Sequence, residues 1–308
     1  MERTGNGVNM YDGIINVYKE KGFTSFDVVA KMRGILGQRK VGHTGTLDPA
    51  AEGVLPVCAG KGTRLCDMLT DHDKTYRATM LLGVVTDTQD TTGTILEEKD
   101  ASHLTEEEVR EAIMSFVGDY DQVPPMYSAL KVDGKKLYEL AREGKVIERK
   151  ARPVTIHEIV IESMNLPEVV MSVSCSKGTY IRTLCNDIGE KLAVGGCMKE
   201  LLRTKVGRFI LEETLTLSDL QKLKEEGRLE EAVFPLEAVF AELPEIRATE
   251  EGLDKLMKNG NPFRFKGIGS VSDGDAYRVY SMDGQFIGVY EYSEEKHMFY
   301  PRKIFLGQ

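Results

Sequence analysis

Runs of apolar and alternating residues predict a sheet of several strands. Apolar or alternating runs of about four to eight residues are typical of β-strands. Such runs lie at 14–18, 54–59, 75–82, 154–161 and 169–174. Helical patterns separate several of these runs, which indicates an α/β unit with helices packed on a mixed sheet.

The first helix is predicted from its cap and its apolar spacing. Thr24 or Ser25 can cap the amino end, and Gly37 can end the helix. The apolar residues at helical spacing, which we expect to face the core, are Phe26, Val29, Met32, Ile35 and Leu36.

Four more helical segments are predicted further along the chain. Thr105 and Glu108 form the capping-box pattern, which predicts a helix that runs to about Val117. The remaining segments with a helical pattern are 61–69, 180–192 and 249–258.

The 308 residues are enough for about two domains. Pro235 and Pro244 flank short apolar stretches, which predicts a boundary near 235–245. We therefore expect a large domain over 1–240 and a small one over 241–308.

The small domain is predicted to be mainly β. Asp283-Gly284 is typical of a two-residue hairpin turn, and it lies between strand patterns at 276–282 and 285–292.

Composition is typical of a globular protein. Hydrophobic residues make up 41% and charged residues 29% of the chain. No apolar run approaches the roughly 20 residues of a membrane span, and the amino-terminal segment has no apolar signal region. We therefore expect a cytoplasmic protein without a membrane partner. The five cysteines include no C-x-x-C pair, which favours reduced thiols over disulfides or a zinc ribbon.

The net charge of −9 conceals three basic segments. Residues 31–64 carry six Lys or Arg against two acids, and 199–208 carry four against one. Residues 124–152 carry eight against four and open with two prolines, which predicts an exposed basic insertion. A basic face on an acidic body can bind nucleic acid although the total charge is negative.

The segment 42–55 holds one carboxylate on a constrained loop. It is rich in Gly and Thr and contains Asp48-Pro49. Pro49 fixes its own φ and favours an extended Asp48. An Asp-Pro pair is most often a turn or a helix cap, but the dense Gly, His and Thr setting also favours a catalytic carboxylate.

Arg182 and Tyr76 are further candidate site residues. Arg182 lies two residues after Tyr180, at a predicted helix start. It is either exposed beside a core tyrosine or paired with a buried carboxylate. Tyr76, flanked by Lys74 and Arg77, is either a core strand residue or a platform for a nucleic-acid base.

Several kinds of site are not indicated. Residues 59–63 lack the spacing of a phosphate-binding loop, and no G-x-S-x-G is present. The five histidines show no metal-ligand spacing. We therefore expect no metal and no cofactor.

Seven segments together resemble the TruB family of tRNA pseudouridine-55 synthases. They occur in the family's order over roughly residues 12–240. The segments are Lys21–Ser25, Gly42–Pro49, Asp73–Tyr76, Thr86–Asp90, Val123–Ala129, Lys177–Arg182 and Leu201–Thr204 with Gly207. The resemblance implies a pseudouridine synthase fold with a curved mixed sheet. It also implies a small C-terminal PUA-like β-barrel.

The resemblance implies a role for three catalytic residues. Asp48 is similar to the family's essential aspartate, which acts on the target nucleoside and leads to cleavage of the C1′–N1 bond. Arg182 is expected to pair with Asp48. Tyr76 is expected to stack on the target base and to help remove the proton from C5.

The resemblance also implies substrate-binding residues. Tyr180 and Leu201 are expected to wall the uracil site, and His43 to pack near the space that the flipped base leaves. Lys19 is a further expected binding residue. The family often has Lys-Pro where this chain has Lys19-Glu20, so the resemblance does not predict the geometry of that loop.

The expected activity is isomerisation of uridine 55 in the T arm of tRNA, by a monomer without an obligatory protein partner. Two alternatives remain. One is an RNA-binding or tRNA-folding protein without activity, and the other is a relative that works only inside a guide ribonucleoprotein.

Overall fold

A computed structural model describes residues 10–132 and 134–306. Residues 1–9 lie outside the described residues. They make up most of the amino-terminal segment in which the sequence shows no apolar signal region. The strands are β1 (Gly13–Lys19), β2 (Val41–His43), β3 (Glu52–Ala59), β4 (Lys74–Leu82), β5 (Val84–Thr86), β6 (Ile95–Glu98), β7 (Gly118–Gln122), β8 (Lys131–Val132), β9 (Lys135–Lys136), β10 (Arg152–Asn165), β11 (Glu168–Cys175), β12 (Gly196–Val206), β13 (Phe209–Ile210), β14 (Glu245–Arg247), β15 (Ala276–Tyr280), β16 (Phe286–Ser293) and β17 (Met298–Ile304).

Helices connect these strands. The α-helices are α1 (Ser25–Leu36), α2 (Cys66–Thr70), α3 (Glu106–Met114), α4 (Leu137–Arg142), α5 (Ile181–Lys191), α6 (Leu217–Glu225) and α7 (Glu251–Lys258). The 3₁₀ helices are Gly60–Leu65, Leu211–Glu213, Leu229–Ala232 and Leu236–Phe240.

Nine strands of the described chain form the main sheet. Its order is β1-β3-β12-β4-β11-β10-β7, with β2 added beside β3 and β13 beside β12. Strands β3 and β12 are parallel, whereas the other neighbours are antiparallel. Bulges in β10 and β12 bend the sheet. The predicted mixed α/β fold with a curved sheet is confirmed.

Two hydrophobic layers cover the sheet. One packs α3 and α5 against the β4, β10 and β11 side, with Met80, Met171 and Leu184 fully buried. The other packs α1 and α6 against β1 and β3. The central strands β4 and β12 therefore lie between rigid neighbours, and side chains at their ends are held in fixed positions.

Helix α1 is confirmed, but its predicted buried face is partly wrong. Thr24 caps it with a complete capping box, and Gly37 ends it at φ 66°. Phe26 is 66% exposed, while Val28, which the prediction omitted, is fully buried. The buried stripe is rotated relative to the predicted one, and Phe26 instead lies against the guanidinium of Arg33.

One of the basic segments lies in the main sheet. Most of residues 199–208 belong to the central strand Gly196–Val206. The strand contains Lys199 and Glu200, which are exposed, and Arg203, which is buried. Sequence polarity alone hides a central strand of this kind.

The basic insertion lies between β7 and β10. It contains the β8–β9 pair and α4, whose Leu137 and Leu140 are buried. Lys136 and Arg142 both lie over the ring of Tyr138. Most of its other basic side chains are exposed, as predicted.

The chain ends in a second sheet of order β14-β15-β16-β17. The predicted hairpin is confirmed, because β15 and β16 pair antiparallel around Asp283-Gly284. Helix α7 packs on this sheet through Leu253 and Met257. The arrangement is compatible with the PUA-like module that the resemblance implies.

The two sheets are joined by an apolar cluster. Phe305 and Val289 of the second sheet pack with Phe240 and with Ile14 of the main sheet. Arg64 donates a hydrogen bond to the carbonyl of Ile304. The domain division at residue 240 stays a prediction, and the two units share a continuous core at this point.

Candidate active site

Asp48 lies on the loop between β2 and β3. The amide of Ala51 donates to the Asp48 carbonyl at 3.0 Å, which closes a tight turn. The amide of Leu47 donates to the hydroxyl of Ser25 at 2.9 Å. The loop is thus tied to the start of α1, which fixes the direction of the carboxylate.

Lys19 holds the other side of this loop. Its ammonium is fully buried and donates to the carbonyl of Ala51 at 2.5 Å, with longer contacts to the Glu20 and Pro49 carbonyls. Burial lowers the pKa of Lys19 to about 8, although the Glu52 and Asp48 carboxylates act against it. The structure therefore places Lys19 beneath the Asp48 loop.

Arg182 pairs with Asp48. Its Nε lies 2.9 Å from Oδ2 of Asp48. The arginine side chain is 5% exposed and the aspartate side chain is 38% exposed. The carboxylate therefore has one face on a rigid cation and another open to a substrate.

Both terminal nitrogens of Arg182 also donate hydrogen bonds. Nη1 donates to the carbonyl of Thr88 at 2.9 Å, and Nη2 donates to the carbonyl of Tyr127 at 2.7 Å. Oδ2 of the buried Asp90 lies 3.8 Å from Nε. This planar fork links α5, the β5–β6 connection and the basic insertion, so the guanidinium cannot rotate freely.

Burial raises the pKa of Asp48 above its ordinary value, and the nearby Asp90 carboxylate adds to the rise. Arg182 and Lys19 act in the opposite direction. Pairing with Arg182 thus favours the charged carboxylate, while desolvation acts against it and is the larger cause.

A cavity of about 550 Å³ opens beside Asp48. This volume is in the range of ligand-binding clefts. Five of the seven predicted site residues line it: Asp48, Tyr76, Tyr180, Arg182 and Leu201. Lys19 and His43 do not line it. Basic residues Lys74, Arg152, Lys177 and Arg203 contribute to its wall.

Tyr76 is a buried strand residue that lines the cavity. Its role as a platform for a base stays a prediction. Burial raises the pKa of its phenol, whereas the charge of Arg203 and a side-chain hydrogen bond with it act to lower it. Arg203 lies directly opposite Tyr76 in the β4–β12 ladder.

Tyr180 caps α5, and its backbone is clamped by Gln122 at the end of β7. The Tyr180 amide donates to Oε1 of Gln122 at 2.7 Å, and Nε2 of Gln122 donates to the Tyr180 carbonyl at 3.0 Å. Burial raises the pKa of the Tyr180 phenol. The clamp sets the position of Tyr180 and of the helix turn that carries Arg182.

His43 lies on β2 behind the Asp48 loop. Its Nδ1 accepts a hydrogen bond from the Gly45 amide at 3.2 Å. Burial lowers the pKa of His43, and the charge of Arg203 adds to the effect. This favours a neutral imidazole.

Sequence reasoning missed three residues of this site: Asp90, Gln122 and Arg203. Asp90 and Arg203 lie within quoted motifs, but nothing in the local pattern shows that they are buried. Gln122 belongs to a polar strand, and its two contacts with Tyr180 join positions 58 apart in sequence. Only the fold brings these groups together.

Within the described ranges, no cluster of His, Cys, Asp or Glu side chains could hold a metal ion. Over the same part of the chain, no helix has both the length and the apolar character needed to cross a bilayer.

Two family models match the chain. Residues 33–181 match the TruB family pseudouridylate synthase N-terminal domain. Residues 182–241 match the tRNA pseudouridylate synthase B C-terminal domain. The matched residues include the Asp48 loop, Tyr76 and the start of α5.

Two bacterial proteins of similar sequence are named tRNA pseudouridine synthase B. A tRNA pseudouridine synthase B of Lachnoclostridium phytofermentans is 52% identical, covering 96% of this chain and 100% of that protein. One of Clostridium perfringens is 48% identical over 90% of this chain and 94% of that protein.

Solved structures with the same fold include a Cbf5-Nop10-Gar1 complex, with a TM-score of 0.70 and 27% identity over 96% of this chain and 85% of that one. An H/ACA RNP bound to a substrate RNA containing 2′-deoxyuridine also has a TM-score of 0.70, with 25% identity and the same coverage.

Proposed function

Because this chain belongs to the TruB family of pseudouridylate synthases, we propose that it isomerises uridine 55 in the T arm of tRNA to pseudouridine. The observation that carries the proposal is the 2.9 Å ion pair between Arg182 and Asp48, whose carboxylate faces the cavity. The names of the relatives support tRNA as the substrate.

Asp48 begins the reaction, either by attack on the nucleoside or by removal of a ribose proton. The C1′–N1 bond breaks, uracil turns, and C5 joins C1′. Cleavage of a glycosidic bond builds positive charge on the sugar, and a nearby anion stabilises it. Arg182 keeps the carboxylate aimed at the site where this charge develops.

The cavity retains the detached base. Leu201 and Ile181 give it apolar walls, and Tyr76 and Tyr180 add aromatic surface. Once RNA covers the cavity, these walls limit the escape of uracil and the entry of water. Tyr76 stacks on the base and helps to remove the proton from C5.

The RNA must present an unstacked base. Flipping costs on the order of a few kcal/mol, and stacking on an aromatic side chain returns about 1–3 kcal/mol. The basic insertion, residues 124–152, lies at the cavity mouth through Arg152 and supplies phosphate contacts. The C-terminal sheet contacts a more distant part of the tRNA.

The proposal is tested with a bare T-arm stem-loop tritiated at C5 of uridine. The purified chain, with no guide RNA or other protein, is expected to release tritium to water and to convert the nucleotide at position 55 alone. Release that is lost when this uridine is moved by one nucleotide supports the site assignment. Absence of release from the native stem-loop contradicts the proposal.

Two of the similar solved structures are an H/ACA RNP and a Cbf5-Nop10-Gar1 complex. This similarity is the reason to test the alternative of a protein that works only inside a guide ribonucleoprotein. Turnover of the bare stem-loop excludes it. Binding of the stem-loop without tritium release would favour the alternative of an inactive RNA-binding protein.

The monomeric state and the cytoplasmic location stay predictions. Sedimentation equilibrium of the purified chain measures the first, and fractionation of the source cells measures the second.

A further inference from the structure

Arg203 is a buried cation that no carboxylate neutralises within the described residues. It is 1% exposed, and its Nε donates to the Val54 carbonyl at 2.7 Å. Its Nη2 donates to the Gly45 carbonyl at 3.3 Å. Burying a charge without an opposite one is costly, so an arginine buried here points to a charge that forms during function.

The group that Arg203 faces is the Tyr76 phenol. The two residues are direct partners in the antiparallel β4–β12 ladder, and both line the cavity beside Asp48. The next pair on the same face of these two strands is Leu201 and Ala78, which is apolar. A charged side chain at this position therefore has the phenol as its reactive neighbour.

We propose that Arg203 is a positioning residue for Tyr76, which fixes the phenol at the cavity wall and stabilises its phenolate form. This rests on the proposed function. Before this step the Tyr76 phenol gives its proton to water. The phenolate oxygen then accepts the proton from C5, the C5–H electron pair becomes part of the restored C5–C6 double bond, and Tyr76 is left as the neutral phenol.

Other titratable groups also lie near Tyr76. Lys74 lies two residues before it on β4, is buried, and donates to the carbonyls of Thr70 and His72 at 2.5 Å. Cys175 on β11 and Asp48 both oppose ionisation of the phenol. Arg203 is the group whose charge and hydrogen bond favour ionisation most directly.

The direct test labels position 76 with 3-fluorotyrosine and follows its ¹⁹F resonance against pH in the full-length protein. Arg203→Gln and Arg203→Lys are both measured, because the glutamine variant alone could fail to fold. The titration midpoint is expected to move to higher pH in both variants, and further with glutamine. An unchanged midpoint in the folded variants overturns the proposal.

Arg152→Gln is the matched control, since Arg152 lines the same cavity but is exposed and lies on β10, which β11 separates from the Tyr76 strand β4. It removes the same charge and is expected to leave the ¹⁹F midpoint where it is. An equal shift in this control would show a general charge effect and would contradict a specific role for Arg203.

Kinetics separate positioning from RNA contact. At pH 7.5, the single-turnover rate of tritium release is expected to fall about 10- to 1000-fold in Arg203→Gln, because loss of an adjacent opposite charge shifts a pKa by about 1–3 units. The Kd for the stem-loop should stay within about twofold. A weaker Kd with an unchanged rate–pH profile would assign Arg203 to RNA binding instead.

If the unaltered enzyme releases no tritium, the proposed function fails. The ¹⁹F titration still decides whether Arg203 controls the ionisation of Tyr76.

Discussion

The Nε atom of Arg182 lies 2.9 Å from Oδ2 of Asp48, and the other two guanidinium nitrogens donate to backbone carbonyls on two separate segments. The carboxylate is therefore oriented by a side chain that is itself immobile. This relationship gives the site its geometry, and several expected outcomes depend on it.

Replacement of Arg182 by lysine should be severe although the charge is kept. A lysine cannot reach Asp48 and both carbonyls together, so the carboxylate loses its fixed direction. We expect the single-turnover rate to fall about 100-fold or more. Arg77→Lys is the control, because Arg77 forms a partly exposed pair with Glu162 away from the cavity. Equal losses in both variants would argue against the orienting role.

The raised pKa of Asp48 predicts an acid limb in the rate–pH profile above the ordinary aspartate value of about 3.9. Activity needs the carboxylate, so it should fall as pH drops through this limb. Asp90→Asn removes a neighbouring negative charge and should move the limb to lower pH. Single-turnover rates between pH 4.5 and 8 measure both. A limb that moves to higher pH in this variant would be inconsistent with the electrostatics.

Lys19 predicts a stability change with pH. Its pKa in the folded protein is about 8, below the ordinary 10.5. The cost of burying its charge is therefore complete below pH 8 and is relieved as the pH rises toward 10.5. The free energy of unfolding, relative to Lys19→Met, should increase by about 1–2 kcal/mol between pH 7.5 and 9.5. Urea denaturation at the two pH values measures it, and a constant difference would count against the buried ammonium.

Gly53 and Gly22 form a matched pair. Both have positive φ, but a Cβ on Gly53 would lie 2.2 Å from the Arg203 carbonyl oxygen, whereas one on Gly22 meets nothing within 4 Å. Gly22→Ala should cost about 1–2 kcal/mol from backbone strain alone. Gly53→Ala should cost about 1–3 kcal/mol more through overpacking and should also slow catalysis. Thermal melts and rates test this, and equal costs would mean that β3 can move away from β12.

Much of the fold could be predicted from sequence. The Thr24 and Thr105 capping boxes and the Asp283-Gly284 turn are local signals, and each marks the element expected. The sequence pattern did not decide the buried face of α1, because Phe26 and Val28 each fit an apolar helical stripe. Only packing against the sheet decides which one is buried.

The site could be predicted only in part. Asp48, Tyr76 and Arg182 belong to motifs, and the structure brings them to one cavity. Arg203 could not be assigned, because a strand with alternating charges suggests an exposed edge rather than the sheet centre. The position of Lys19 beneath the loop also depends on contacts between distant segments.

We propose that the Asp48 carboxylate performs the chemistry. Asp48→Asn keeps the size and one carbonyl oxygen of the side chain but removes its charge. With the tritiated T-arm stem-loop, we expect rapid tritium release by the native protein and none detectable from the asparagine variant, with Kd values for the RNA within about threefold. Comparable release from both proteins would show that the Asp48 carboxylate does not perform the reaction.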